Sequence, residues 1–323
     1  MKITEKTHRA LATPALFAAA LIWGSTFVTM KDSLDEMKPG YLLAVRFTIA
    51  AVFMLLLFVG KWKKYSVKYI LPSALIGLTT AVAYIVQTFG LKYTTPGKNA
   101  FLTSIYCVLI PFFYWIITKK RPDAYNFIAA FLCVIGVGLV SIEISSLGDG
   151  FFIGKGEMLT ICCSAIYAIQ MMLMAKYSKE LDSALLVTLQ FVFTSLCCWI
   201  FTLIFEGAPT KIGDGMIFDL LYLAIAASAL ALLFQNYGIK HTSAGGASII
   251  LSLESVFGVI FSVIAGEEGE MTIQKAIGFA VVFLAVIVSE TKLNFLKKKK
   301  QKATENSDES LKNDKSEQSK TTE

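Results

Sequence analysis

The sequence predicts an all-α integral membrane protein with ten transmembrane helices, arranged as two five-helix repeats of inverted topology. Three observations lead there. The 323 residues are 55% hydrophobic and only 17% charged, with a mean hydropathy of +0.62, whereas soluble domains carry roughly 25% charge. The chain divides into ten apolar runs, each near the roughly 20 residues a helix needs to cross about 30 Å of hydrocarbon. Finally, Gln87–Ile110 (QTFGLKYTTPGKNAFLTSIYCVLI) echoes Gln235–Gly258 (QNYGIKHTSAGGASIILSLESVFG). When Gln87 is set on Gln235, Gly90 meets Gly238 and Lys92 meets Lys240. Thr94 then meets Thr242, Gly97 meets Gly245, Ser104 meets Ser252 and Val108 meets Val256. At one position the likeness breaks into charge: Tyr106 meets Glu254.

The runs, in order, are Ala12–Thr29, Tyr41–Val59, Tyr69–Leu91, Asn99–Thr118 and Ala124–Ile142, then Gly156–Ala175, Ala184–Phe205, Ile217–Ile239, Ala247–Ala265 and Thr272–Ser289. Lys2, Lys6 and Arg9 precede the first run as they would in a signal peptide. We read it as a retained span, because its loss would leave four spans facing five. Short connections collect the turn formers and charges: Met37-Lys38-Pro39-Gly40, Lys119-Lys120-Arg121-Pro122-Asp123 and Leu147-Gly148-Asp149-Gly150. Pro111 is expected to kink the fourth helix. The small residues Gly136, Gly138, Ala224 and Ser228 are expected to allow close helix packing. Pro96-Gly97 and Gly245-Gly246 read as helix terminations, with a hinge as the alternative.

Lysine and arginine set the orientation. With the N-terminus inside, the inner connections hold Lys61, Lys63, Lys64, Lys68, Lys119, Lys120, Arg121, Lys176, Lys179 and Lys240. The outer ones hold fewer: Lys31, Lys38, Lys92, Lys98, Lys155 and Lys211. Both termini are therefore expected in the cytoplasm, and the protein in the cytoplasmic (plasma or inner) membrane. Lys292 and the run Lys297–Lys300 open an apolar-poor, disordered tail. The expected division is a cytoplasmic N-terminus over 1–11, a first repeat over 12–142, a second over 156–290 and a tail over 291–323. Five spans per half is an odd number, so the halves enter the membrane from opposite sides. That is the architecture of many secondary transporters, whose site lies between the repeats near the midplane. Other positions match more weakly: Trp23-Gly24 with Tyr167-Ala168, and Arg46-Phe47 with Gln190-Phe191.

Several classes are disfavoured. The six cysteines sit inside apolar runs without C-x-x-C or a Cys/His cluster, so neither a disulfide framework nor a zinc site is expected. The histidines are His8 and His241, both away from helix centres. No H-E-x-x-H, Asp-rich helical motif or G-x-x-x-x-G-K-[ST] is present. No cofactor, metal or nucleic acid is expected, and the chain reads as a non-enzyme.

These residues resemble the drug/metabolite transporter superfamily, specifically its EamA-type ten-helix members. The resemblance rests on Trp23-Gly24-Ser25, Arg46-Phe47, Gln87-x-x-Gly90-Leu-Lys-Tyr, Pro111, Gln235-x-x-Gly238 and Leu253-Glu254-Ser255-Val256, in register from about Thr13 to Ser289. The family commonly has proline after the ninth-helix glutamate; here Ser255 stands there, a departure that bears on local helix geometry. The resemblance implies a transporter of small organic metabolites, often an exporter of amino acids or related compounds.

Among candidate site residues Glu254 comes first. An ionised carboxylate about 12 Å into a helix (1.5 Å per residue) is costly and faces a cavity or a partner. It suits a proton carrier or a counter-charge for a substrate amine, against a structural carboxylate between helices. Arg46 is either structural or a bidentate clamp for a substrate carboxylate. Trp23, Thr26, Tyr84, Gln87, Asn99, Thr103, Tyr106, Tyr167, Gln170 and Gln235 supply the polar groups and aromatic walls a pocket needs. Tyr84 and Gln87 share one helix face, as do Asn99, Thr103 and Tyr106. The resulting expectation is alternating-access transport, and export, of amino acids or related small polar metabolites, with protons as a coupling ion and the bilayer as the environment. The alternatives are export of cationic or aromatic drug-like compounds, or a non-transporting membrane enzyme or assembly protein. Monomer and homodimer both stay open.

Overall fold

The computed structural model describes residues 5–119, 121–141, 153–178, 180–207, 215–241, 244–269 and 271–291. The expected tail, the Leu147–Gly150 turn and Lys120, Lys179 and Lys211 lie outside the described residues. Those residues contain helices and no strand. The first half comprises α1 (Glu5–Glu36), α2 (Pro39–Leu57), α3 (Ile70–Lys92), α4 (Pro96–Thr103) continuing into α5 (Tyr106–Thr118), and α6 (Ala124–Ser141). The second comprises α7 (Lys155–Tyr177), α8 (Ser183–Phe201), the composite α9 (Met216–Leu221) and α10 (Ala231–His241), then α11 (Ala244–Ile264) and α12 (Ile273–Thr291). Seven stretches are long and apolar enough to cross a membrane, and Ala124–Val140, Leu253–Ile264 and Ile273–Val288 are shorter apolar helices. Together they give ten spans. Exposed Leu56, Phe131, Val134, Ile204 and Phe218 form the apolar outer surface that lipid requires.

Local chemistry places the helix ends. Pro39 and Pro96 stand in the first turns of α2 and α4, where a missing N–H costs nothing. Thr95 caps α4 by accepting from the Lys98 N–H at 3.3 Å. Asp182 caps α8 by accepting from the N–H groups of Ala184 and Leu185. Gly245 and Gly246 fall in the first turn of α11.

The fourth span breaks at Ser104–Ile105 rather than at Pro111, which α5 carries without interruption. A serine marks the break. Ser104 Oγ donates to the Phe101 carbonyl at 2.7 Å, competing with the helical ladder, and the Ile105 N–H reaches only three residues back, to Leu102. The eighth span carries a π-helical stretch over Tyr222–Leu230, in which Ser228 Oγ donates to the carbonyl of Leu223.

Packing follows the two-fold exchange expected of inverted repeats. The first span packs on the ninth (α1 on α11) as the sixth packs on the fourth (α7 on α4 and α5). The third packs on the sixth and seventh, as the eighth packs on the first and second; the second pairs with the seventh and the fifth with the tenth. Small residues make the crossings close. A Cβ on Gly24 would stand 3.0 Å from both the Glu254 carbonyl oxygen and the Gly258 nitrogen, so α1 and α11 meet at a glycine-made contact beside Glu254. Gly136 lies against Val282 and Gly278 where α6 crosses α12, the close packing expected of it.

Candidate functional site

A cavity of about 1610 Å³ lies between the halves. This exceeds the few hundred to about 1,000 Å³ of ordinary ligand pockets, because a wide vestibule continues into the site. Leu11, Pro14, Lys61, Asp182, Ser183 and Tyr237 line the vestibule end, at the termini of helices that share one face of the bundle. That face also carries Lys63, Lys68, Lys119, Arg121 and Lys176. Lys61 donates to both carboxylate oxygens of Asp182 at 3.1 Å. Burial alone would push the Asp182 carboxyl up, but the bond from Lys61 and the N–H groups of Leu185 and Ala184 outweigh it and hold it below the usual range.

Ten of the twelve residues singled out from the sequence line the cavity: Trp23, Thr26, Tyr84, Gln87, Thr103, Tyr106, Tyr167, Gln170, Gln235 and Glu254. Glu254 is the eleventh of the 21 residues of α11, hence at its middle, about 15 Å from either end at 1.5 Å per residue. It is half-buried, and its carboxylate has no hydrogen-bond or ion-pair partner among the described residues. Tyr106, its counterpart in the first repeat, lines the same cavity, and both also border a water-sized chamber with Ser104 and Ser255. A position at which the two repeats differ in charge is thus a place where they meet.

Arg46 and Asn99 do not line the cavity. Arg46 is only 1% exposed. Its Nε donates to Ser228 Oγ at 2.9 Å, and a terminal nitrogen reaches Met30 Sδ at 3.1 Å. Its guanidinium carbon lies 5.1 Å from the Tyr84 ring centroid and 5.4 Å from that of Phe47. It ties the second span to the first and eighth from behind Tyr84, the contacts a structural arginine makes. Asn99 Nδ2 donates to Thr160 Oγ1 at 2.7 Å and to the Gln87 carbonyl at 3.3 Å, joining α3, α4 and α7. Arg46→Leu is expected to cost about 2–4 kcal/mol of stability, since Ser228 and the stacked rings lose their partner. Ligand selectivity should be unchanged. Thermal unfolding with and without ligand checks both.

The wall is a set of cross-linked polar groups. Tyr167 OH donates to Gln87 Oε1 at 2.9 Å, and Gln87 Nε2 donates to Thr103 Oγ1 at 3.0 Å. Trp23 Nε1 donates to the Ala227 carbonyl, within the π-helical stretch, at 2.8 Å. Thr26 donates to the Trp23 carbonyl and Ser228 to that of Leu223. Phe191, Phe47, Tyr84 and Tyr167 form a chain of ring contacts with centroids 5.0 to 5.8 Å apart.

Two lining residues, Gln190 and Thr80, were not singled out for the site. Gln190 appears in the sequence only as the repeat partner of Arg46. Its Nε2 donates to Thr80 Oγ1 at 2.9 Å, while Thr80 spends its own hydrogen on the Ile76 carbonyl. This fixes the amide orientation and leaves Gln190 Oε1 without a partner among the described residues. The signal available for it was that pairing: a neutral amide where the other repeat has a guanidinium.

The opposite face is closed by carboxylates. Glu206 accepts from the N–H groups of Gly40 and Tyr41 at 2.8 and 3.1 Å, and its carbonyl accepts from Lys38. Glu157 and Glu268 grip the α3–α4 connection from two sides. Glu157 accepts from Thr94 Oγ1 and Lys98 Nζ. Glu268, beyond the end of α11, accepts from Thr95 Oγ1, the Gly97 N–H and Ser262 Oγ at 2.8 to 3.0 Å. Lys31 adds bonds to the carbonyls of Leu91 and Thr94. Pro96-Gly97 is therefore a clamped helix start. Burial raises the Glu268 carboxyl above its usual range, although the Ser262, Thr95 and Gly97 bonds and the Lys275 charge oppose this. The clamped state thus binds more protons than an unclamped one between the usual carboxylate pKa and the raised value. Its stability should be greatest below that window and fall as pH rises through it. Amide hydrogen exchange at Thr94–Lys98, corrected for intrinsic rate, should show this pH dependence, and Glu268→Gln should flatten it.

No group of three or more candidate ligands able to hold a metal ion occurs among the described residues. Comparison with known proteins places the chain. The EamA-like transporter family model matches it twice, over residues 11–142 and 154–291. An uncharacterized transporter of Archaeoglobus fulgidus is 31% identical over 285 residues, covering 88% of each chain. The uncharacterized transporter YyaM of Bacillus subtilis is 25% identical over 290 residues, covering 85% of this chain and 92% of its own. A crystal structure with 18% identity superposes with a TM-score of 0.61 over 88% of this chain and 98% of that one, a likeness of fold. With two matched repeats, ten spans and a central cavity between them, this membrane transporter belongs to the EamA-like transporter family.

Proposed function

We propose that the protein is a secondary transporter that exports amino acids or related small polar metabolites across the cytoplasmic membrane by alternating access. The observation that carries the reading is the central cavity. It lies between two inverted repeats, opens at one face, and is closed at the other by Glu157, Glu206 and Glu268. Exchange of packing between equivalent helices would close the open end and release the clamped one. The lysine-bearing face is the cytoplasmic one on the positive-inside rule, so the structure is the inward-open state and both termini are cytoplasmic. We assign the repeats to 12–142 and 156–290, flanked by cytoplasmic segments 1–11 and 291–323. Glu254, Trp23, Thr26, Tyr84, Gln87, Thr103, Tyr106, Tyr167, Gln170 and Gln235 form the substrate site, with Arg46 and Asn99 holding its walls.

Counterflow into proteoliposomes tests this. Protein-dependent exchange of labelled metabolites, saturable and accelerated by unlabelled substrate on the far side, is the expected result. An imposed pH gradient that drives net accumulation would add proton coupling. Absence of exchange for every class, with purified folded protein in sealed vesicles, would overturn it.

A further inference from the structure

We infer that the recognised part of the substrate is a cationic amine, and that the site disfavours a carboxylate on the same molecule. The inference rests on the transport reading of this cavity and narrows its cargo, away from amino acids and towards the related amines.

The argument is a count of charges and hydrogen-bond donors on the wall. Among the described lining residues the ionisable acids and bases are Glu254, Lys61 and Asp182. The last two neutralise one another at the vestibule. Glu254 is left at mid-membrane, unpaired and facing the cavity. Arg46, the nearby buried cation, is shielded by the Tyr84 ring and cannot touch a ligand. The site therefore presents one unpaired carboxyl group and no unpaired cation.

The neutral groups lean the same way. Trp23, Thr26, Tyr167 and Ser228 spend their N–H or O–H hydrogens on protein acceptors, and Gln87 and Gln190 each spend one of two amide hydrogens the same way. Gln190 Oε1, on a side chain only 3% exposed, keeps an acceptor with no protein partner. The Tyr84 hydroxyl and the Gln170 and Gln235 amides still offer hydrogens, but they carry no charge to offset a carboxylate. A carboxylate brought here would give up water beside Glu254 with no unpaired cation to offset the repulsion. An ammonium finds the opposite: a carboxylate partner, and aromatic lining side chains such as Trp23 and Tyr167 for cation–π contact. Methionines 30, 171 and 174 supply a deformable apolar surface for the rest of the molecule. An aromatic or alkyl amine fits this description, and the amino acid that yields it by decarboxylation fits less well.

Matched pairs test it. Isothermal titration of the purified protein in detergent compares phenethylamine with phenylalanine, and 2-phenylethanol serves as the neutral analogue. The amine should bind about tenfold or more tighter than the amino acid. Glu254→Gln should weaken amine binding by about tenfold or more and leave the alcohol unchanged. Glu254→Asp keeps the charge and should retain amine preference, which separates loss of charge from loss of fold. An amino acid bound as tightly as its amine, or amine affinity unchanged in Glu254→Gln, would overturn the inference. Counterflow of both compounds separates the two readings. Flux of the amino acid with no preference for the amine would leave transport standing and sink the amine site. Tight amine binding without flux would do the reverse.

Discussion

A Gly24→Leu protein is expected to lose transport altogether, and with it much of its thermal stability. The reason is geometric. Gly24 lies where α1 crosses α11, and any Cβ there would press on the backbone at Glu254 and Gly258 as well as on Phe257. Backbone cannot yield as a flexible side chain can, so the two helices must separate. Overpacking of this kind costs about 1–3 kcal/mol in soluble cores and more where backbone is displaced. The separation also carries Glu254 away from Tyr106 and opens the seam between the repeats. Gly24→Ala should show the same effects in weaker form. Flux in proteoliposomes and thermal unfolding in detergent, measured together, check the claim. Wild-type flux in Gly24→Leu would mean that the crossing does not set the site.

The second large effect concerns Glu254. Glu254→Gln removes the one unpaired charge on the cavity wall with little change in volume. Transport should fall by about a hundredfold, the order expected when a charged contact is lost in a dry site. If protons are the coupling ion, the residual flux should also lose its pH dependence. Stability should not fall, because the carboxylate makes no hydrogen bond that the amide would break. Flux and its pH profile retained in full would return Glu254 to the structural reading.

Much of this arrangement was legible in the sequence because it depends on periodic apolar character and on a repeat. Ten apolar runs, two halves and the pairing of Tyr106 with Glu254 follow from residue order, and the structure brings that pair to one cavity. Polar residues buried in lipid-spanning helices announce themselves by their cost, which is why ten of twelve candidates line the site. What was illegible depends on direction rather than identity. Arg46 and Asn99 are as polar as their neighbours, but each points into a helix contact, and no spacing rule says which way a side chain turns behind a ring such as Tyr84. The break at Ser104 was hidden for a related reason. Proline is the louder helix-breaking signal, yet the fourth span divides ahead of it, where the Ser104 hydroxyl bonds to Phe101. The π-helical stretch that carries the Ala227 carbonyl bonded by Trp23 likewise has no marker in residue type. The clamps at Glu157, Glu206 and Glu268 went unmarked in the sequence, because their partners are backbone N–H groups and hydroxyls rather than lysines alone.

The central claim is that the cavity is reached from alternate sides of the membrane. Thr26 sits on its wall near mid-span, so a Thr26→Cys variant in a background without the six native cysteines provides the test. Sealed vesicles of known orientation would be treated with a membrane-impermeant thiol reagent, first from one side and then from the other, with and without a transported substrate. The account predicts labelling from the lysine-bearing face in the absence of substrate, and labelling from the opposite face once exchange is under way. Labelling from the same face under both conditions, while flux proceeds, would contradict it.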